Sequence, residues 1–344
     1  MANTIILPCF FDAHVHLRNG PMMQHVLRYT MRHARYALVM PNIKPRAVLN
    51  VDDVIRYRDE IRRARDAINA DSRFEPLMSI EIRDNTTPQM IRDARLAGAV
   101  AGKVYPIGVT TNSENGLRDL WSAAMQDTLS AMHDEGMLLL LHGEYDRENL
   151  DVLYREREFL PDLIRLAEKQ SDLKIVLEHV SSRKGVETVS ELGPNVAATI
   201  TLHHLMLTQN DVIGNGIRPH HGCNPMPKLF DDRDALVHAF TSESPKFFLG
   251  SDSAPHLQIN KECAVGACGV FSAPVLAQCL AMLFADNKYR TEFRNFVSRF
   301  GTDFYGLPPI EETFELVEEE TFVPEKIEGI VPFLAGKELA YRYA

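Results

Sequence analysis

The chain has 344 residues, 45% of them apolar and 24% charged, the proportions of a soluble globular protein with one large α/β unit or two ordinary ones. Net charge is -10 with a pI near 5.7 and the basic residues lie scattered among acids, which argues against a nucleic-acid or anionic-membrane partner. Cys9, Cys223, Cys263, Cys268 and Cys279 are odd in number and form no CxxC pair, and neither a signal-like start nor a bilayer-length apolar run occurs, so a cytoplasmic protein is expected.

In chain order, the apolar run Ile5 to Phe11, broken by Pro8 and Cys9, predicts a strand that delivers Asp12-Ala13-His14-Val15-His16-Leu17-Arg18. Side chains alternate along an extended chain, so His14, His16 and Arg18 are expected on one wall. A helix is predicted over Pro21 to Tyr36 and a strand over Ala37 to Met40, stopped by Pro41-Asn42. Helix Val48 to Ala70, strand Pro76 to Ile82, helix Pro88 to Ala97 and strand Ala99 to Pro106 follow. A polar loop, Gly108 to Gly116, then precedes helix Leu117 to Glu135 and strand Met137 to Leu141, which ends at His142-Gly143-Glu144. Helix Glu156 to Lys169, strand Lys174 to His179, helix Ser182 to Glu191, strand Val196 to Leu202, helix Arg233 to Phe240 and strand Lys246 to Asp252 complete the alternation.

Eight strands alternating with helices suit a (β/α)8 TIM barrel, with a doubly wound open sheet as the alternative. His14, His16, Asn42, Lys103, His142, His179 and Asp252 all fall at or near carboxyl ends of predicted strands, where barrel enzymes build their sites, and this favours the barrel. The expected organisation is a single domain over 1–344, with the barrel at about 5–290 and a helical and irregular C-terminal extension at about 291–344.

Singly, each polar group has an ordinary explanation: a hydrogen-bonded histidine, a snorkelling Lys103, an Asp252 that caps a helix. Four imidazoles, a lysine and an aspartate on one rim point instead to metal, and imidazole suits zinc. A desolvated Lys103 loses its proton more easily, and the neutral amine can add CO2 to give a carbamate able to take a metal on each oxygen.

The set His14-x-His16, Lys103, His142, His179, Asp252 resembles the binuclear amidohydrolase superfamily. The words His14-Val-His16-Leu-Arg18, Val39-Met-Pro-Asn42, Lys103-Val-Tyr-Pro106, Leu141-His-Gly-Glu144, Arg218-Pro-His220 and Gly250-Ser-Asp-Ser-Ala-Pro-His256 resemble the short, class II dihydroorotases over essentially the whole chain. The resemblance implies two Zn2+ per subunit bridged by Lys103 as N6-carboxylysine, with His14, His16 and Asp252 on one metal and His142 and His179 on the other. It implies reversible cyclisation of N-carbamoyl-L-aspartate to L-dihydroorotate in pyrimidine biosynthesis, with Asp252 as the catalytic proton carrier, and a homodimer. Arg18, Asn42, His142, Asn224, His256 and Cys268 are the implied substrate-binding residues, and Thr110 and Thr111 the implied lid.

The chain departs from that pattern at His221-Gly222-Cys223-Asn224-Pro225, where the family typically has Leu-Tyr-Cys-Leu-Pro, and at Cys268, where a small residue is expected. The alternatives are a hydantoinase- or lactonase-type amidohydrolase and an inactive structural paralogue. Hydantoinases carry an extra β-domain built partly from residues before the HxH word. With His14 so near Met1, none is expected here.

Overall fold

The computed structural model describes residues 3–110, 113–284 and 289–344; Thr111 of the expected lid lies outside them. The first strand, β1 (Thr4–Pro8), stands apart from the barrel. Strands β2 (Phe10–Val15), β3 (Ala34–Val39), β4 (Glu75–Ile82), β5 (Ala99–Val104), β6 (Leu138–His142), β7 (Ile175–Glu178), β8 (Val196–Ile200) and β9 (Phe247–Leu249) form one eight-stranded parallel sheet in chain order. It closes through a parallel bridge between Val15 and Ser253, with the Asp252 amide donating to the His14 carbonyl (2.8 Å) and the His16 amide to that of Ser253 (3.1 Å). This is the TIM-barrel order expected from the alternation.

The helices pack outside because their apolar residues recur at helical spacing. Val51–Ile68 buries Val54, Tyr57, Ile61 and Ala64 while most of its charged residues face water; Asp53 is buried and pairs with Arg46, and the Asn50 side chain caps the helix by accepting from the Asp53 amide at 3.2 Å. Inside the barrel, Phe11, Ala13, Leu38, Ala101, Leu140, Val176, Ala197 and Phe248 form a separate apolar plug. Tyr305 seals its amino end, with its ring 4.9 Å from that of Phe11. The floor is therefore closed by hydrocarbon, leaving the carboxyl rim for chemistry.

Three expectations need correction. The run Ile5 to Phe11 is two strands, because the chain turns at Cys9, whose amide donates to the Glu312 carbonyl, and only Phe10 onward joins the barrel. The C-terminal extension is not only helical and irregular: β10 (Thr313–Phe322) and β11 (Glu338–Tyr343) pair with β1 in an antiparallel sheet of order β1-β10-β11. Residues before the HxH word thus do build a small β layer. Its glutamate-rich middle strand buries only Leu316, so alternation there was too weak to read. Finally, the helix expected from Leu117 begins at Ala123, since Leu117 bonds back to Tyr105 and Ile107. Among the described residues no helix is long and apolar enough to cross a membrane.

Candidate active site

Inward-facing positions on successive strands bring the rim together. Lys103 lies two residues beyond Ala101, His142 two beyond Leu140, Glu178 two beyond Val176 and Thr199 two beyond Ala197, each pair on the barrel's interior face. Gly250, two residues beyond Phe248 and just past β9, continues the series. A Cβ there would come within 2.7 Å of the Thr199 Cβ and 3.0 Å of that of His14, so only glycine lets β2 and β8 close on one another. His14 leaves β2 where its register against β3 shifts, between Asp12 and Val15. The buried Asp12 ties this segment to the far side of the site, accepting from the Ser251 amide at 2.8 Å and the Ser251 hydroxyl at 2.6 Å. His179 and Asp252 both take left-handed backbone (φ 42°), a strained conformation for these residues.

The expected ligands fall into two clusters. His14 Nε2 and His16 Nε2 lie 3.3 and 3.1 Å from Asp252 Oδ1. His142 Nδ1 lies 3.2 Å from His179 Nε2, and the His14 and His179 ring centroids are 5.2 Å apart. Lys103 is fully buried, and among the described residues its Nζ has no hydrogen-bond partner.

Hydrogen bonds outside the clusters set the tautomers. His14 Nδ1–H donates to Glu178 Oε2 at 2.7 Å, which leaves the Nε2 lone pair facing the Asp252 carboxylate. His142 Nε2–H donates to Glu144 Oε2 at 3.1 Å, which leaves its Nδ1 lone pair facing His179. A carboxylate behind a ligating imidazole is the usual way its orientation is fixed, with the other ring nitrogen turned toward the metal. Glu178 is itself held by the Thr199 hydroxyl at 2.8 Å.

Electrostatics fits metal ligation. Burial holds His16 down to about 4 and pushes His142 and His179 below the ordinary histidine range, so all three are neutral donors at pH 7. Burial raises the Asp252 carboxyl, but His14 and His16 outweigh it and hold the group well below the usual carboxylate range. Burial lowers the Lys103 ammonium to about 8, against the opposing charges of Glu178 and Asp252. The residues therefore fit a pair of cations joined through Lys103. A second trio of close ligand atoms, His203, His204 and Cys223, is different, because His204 Nε2 and Cys223 Sγ already bond the Pro225 carbonyl at 2.9 and 3.2 Å.

The expected substrate residues ring the same rim with altered roles. Arg18 does not continue β2, which ends at Val15. It takes left-handed backbone (φ 59°) and reaches Pro255 O (2.9 Å) and His256 Nε2 (3.0 Å). Alternation was thus the wrong reason for its position. Arginine can only donate, so His256 accepts at Nε2 and orients Arg18; it is not a free donor beside it. Asn42 is buried just past β3. The Asn224 side chain donates to the Val109 carbonyl at 3.1 Å, which links it to the loop expected to form the lid. Thr110 closes a turn with Ser113, its amide 3.0 Å from the Ser113 Oγ.

Sequence reasoning assigned no role to Glu178, Glu144 or Asp12. A lone glutamate on the inward face of the otherwise apolar β7 was the available signal for the first.

No family model matches the chain. It is 40% identical to the dihydroorotase of Neisseria meningitidis serogroup B over 344 residues, 98% of each chain. Among solved structures it is similar to a dihydroorotase from Campylobacter jejuni (TM-score 0.90, 34% identity, covering 100% of this chain and 98% of that one). It is likewise similar to a Saccharomyces cerevisiae dihydroorotase in complex with 5-fluoroorotic acid (TM-score 0.88, 34% identity, 99% and 98%). The chain belongs to the dihydroorotase family of metal-dependent cyclic amide hydrolases.

Proposed function

We propose that this chain is a zinc-dependent dihydroorotase in which His14, His16 and Asp252 hold one metal, His142 and His179 the other, and carboxylated Lys103 bridges them. The observation that carries this reading is the convergence of two buried histidine clusters, in each of which a carboxylate behind one imidazole turns its other nitrogen inward, on the fully buried Lys103 Nζ, which has no hydrogen-bond partner among the described residues. When bound, such metals polarise an amide carbonyl and lower the pKa of water toward neutrality. Asp252 takes the proton of the attacking water and delivers it to the departing ring nitrogen, opening L-dihydroorotate to N-carbamoyl-L-aspartate. In the reverse direction it deprotonates the carbamoyl nitrogen. Arg18, aimed by His256, grips the carboxylate that does not react, with Asn42 beside it and the Asn224 and Cys268 loops completing the cradle. The loop through Val109 and Thr110 acts as the lid, joined to the cradle by Asn224.

Ring opening creates a carboxylate and releases a proton, so alkaline pH favours hydrolysis and acid favours cyclisation. Five free thiols fit a reducing cytoplasm, and the family resemblance supports a homodimer. The reading is tested by following L-dihydroorotate hydrolysis at alkaline pH with protein loaded with zinc and bicarbonate, beside a hydantoin of similar size. Turnover of dihydroorotate alone is the expected result. Preference for the hydantoin, which lacks the carboxylate for Arg18, would overturn the assignment.

A further inference from the structure

We propose that Lys261 is the positioning residue that holds the two substrate loops in register with each other, a role that rests on the cyclic-amide reading above. Lys261 ends the short helix Gln258–Lys261 outside the metal clusters, and only 4% of it is exposed. Its Nζ donates to the carbonyls of Gly269 (2.5 Å), Ala267 (3.0 Å) and Gly222 (3.3 Å). Those acceptors flank Cys268 on one side and lie two residues before Asn224 on the other, so one ammonium spans both loops.

Among the described residues no carboxylate pairs with Lys261. Burial lowers it to about 8, with the Cys268 and Cys223 sulfurs opposing that shift, so a charge is desolvated where its hydrogen bonds run to three main-chain carbonyls. A hydrocarbon side chain of that volume would avoid burying a charge but would leave the Ala267 and Gly269 carbonyls without this donor. What the ammonium supplies is a fixed distance between two backbones.

The joint reaches the substrate residues in two further contacts. The Gly269 amide donates to the same Gly222 carbonyl at 2.8 Å, and a Cβ on Gly269 would come within 2.6 Å of the Ala254 carbonyl and 3.0 Å of the His256 ring. His256 bonds the Cys268 backbone and accepts from Arg18. From the Gly222 side, Asn224 carries the joint to Val109 in the lid loop. Loss of the Lys261 clamp therefore loosens Arg18, Cys268, Asn224 and the lid together and leaves the six metal-ligating side chains where they are.

The test uses metal-loaded protein carrying Lys261→Met or Lys261→Gln, measured beside the parent chain. KM for L-dihydroorotate should rise at least about tenfold, with kcat within about threefold and metal content unchanged. Binding of 5-fluoroorotate, read by calorimetry, should weaken by a similar factor. A scaffold role would instead lower the melting temperature and the active fraction without separating KM from kcat. Unchanged KM and analogue binding would overturn the proposal, as would loss of folding in both variants. Analogue binding needs no turnover: a parent chain that binds 5-fluoroorotate but opens no ring would sink the functional reading and leave the loop comparison standing.

Discussion

At the amino end of the barrel, His33 is fully buried, with Nδ1 3.1 Å from the Tyr343 hydroxyl and its ring 5.3 Å from that of Phe10. At the carboxyl end, His142 and His179 are as deeply buried, but they face each other at 3.2 Å with Glu144 behind one and Lys103 nearby. Burial neutralises the imidazoles at both ends. What separates the two ends is convergence: at the floor one ring meets a hydroxyl and hydrocarbon, whereas at the rim four imidazoles and a carboxylate gather around one buried lysine. Depth alone would have misassigned His33.

That contrast can be sharpened by substitution. Asp252→Asn keeps the shape of the rim but removes the proton carrier, and kcat should fall by about 10²- to 10⁴-fold while the second histidine cluster keeps its metal. Unchanged turnover would reject the assigned role. Glu178→Gln frees the His14 tautomer, and metal affinity should weaken by about 10- to 100-fold in a chelator competition, a loss that has no counterpart at the floor. Equal affinity would mean that Thr199 and Glu178 merely fill space. Arg18→Ala removes a charge-assisted contact worth about 1.5–3 kcal/mol, so KM should rise by about tenfold to a hundredfold with kcat little changed. A fall in kcat alone would place Arg18 in the chemistry.

The smallest effect belongs to the floor. The folded His33 pKa lies near 3, below its ordinary 6.5, so the unfolded chain binds the proton more readily. The His33 contribution to stability is complete above about pH 6.5 and is lost as pH falls toward about 3. In metal-free protein, His33→Gln should flatten the acid decline of the melting temperature across that window and leave the loaded enzyme's turnover unchanged. A change in turnover would break the distinction between the two ends.

The barrel was legible because its strands are continuous apolar runs ending in polar words, as at Leu138 to His142. The polar groups that gather at the rim, His14, His16, Lys103, His142, His179 and Asp252, were legible for the same reason. The three-stranded sheet was not, since Thr313–Phe322 carries glutamates on both faces and its partner β1 lies at the opposite end of the chain. Arg18 was placed rightly by the wrong rule: Tyr57 holds the Arg18 carbonyl at 2.6 Å in a turn that no periodicity encodes. Asn224 was recognised as a departure, but its bond to Val109 spans 115 positions and depends on loops with no repeating pattern.

The central claim is that buried Lys103 joins two metal sites into one centre. It is tested most directly by counting metals per chain, and carbon retained from 13C-labelled bicarbonate, in the parent protein and in Lys103→Met. The account predicts two metals and one labelled carbon per parent chain. In the variant it predicts no label, incomplete metal loading, and turnover reduced by about 10³-fold or more. Two metals and full turnover in Lys103→Met would contradict it.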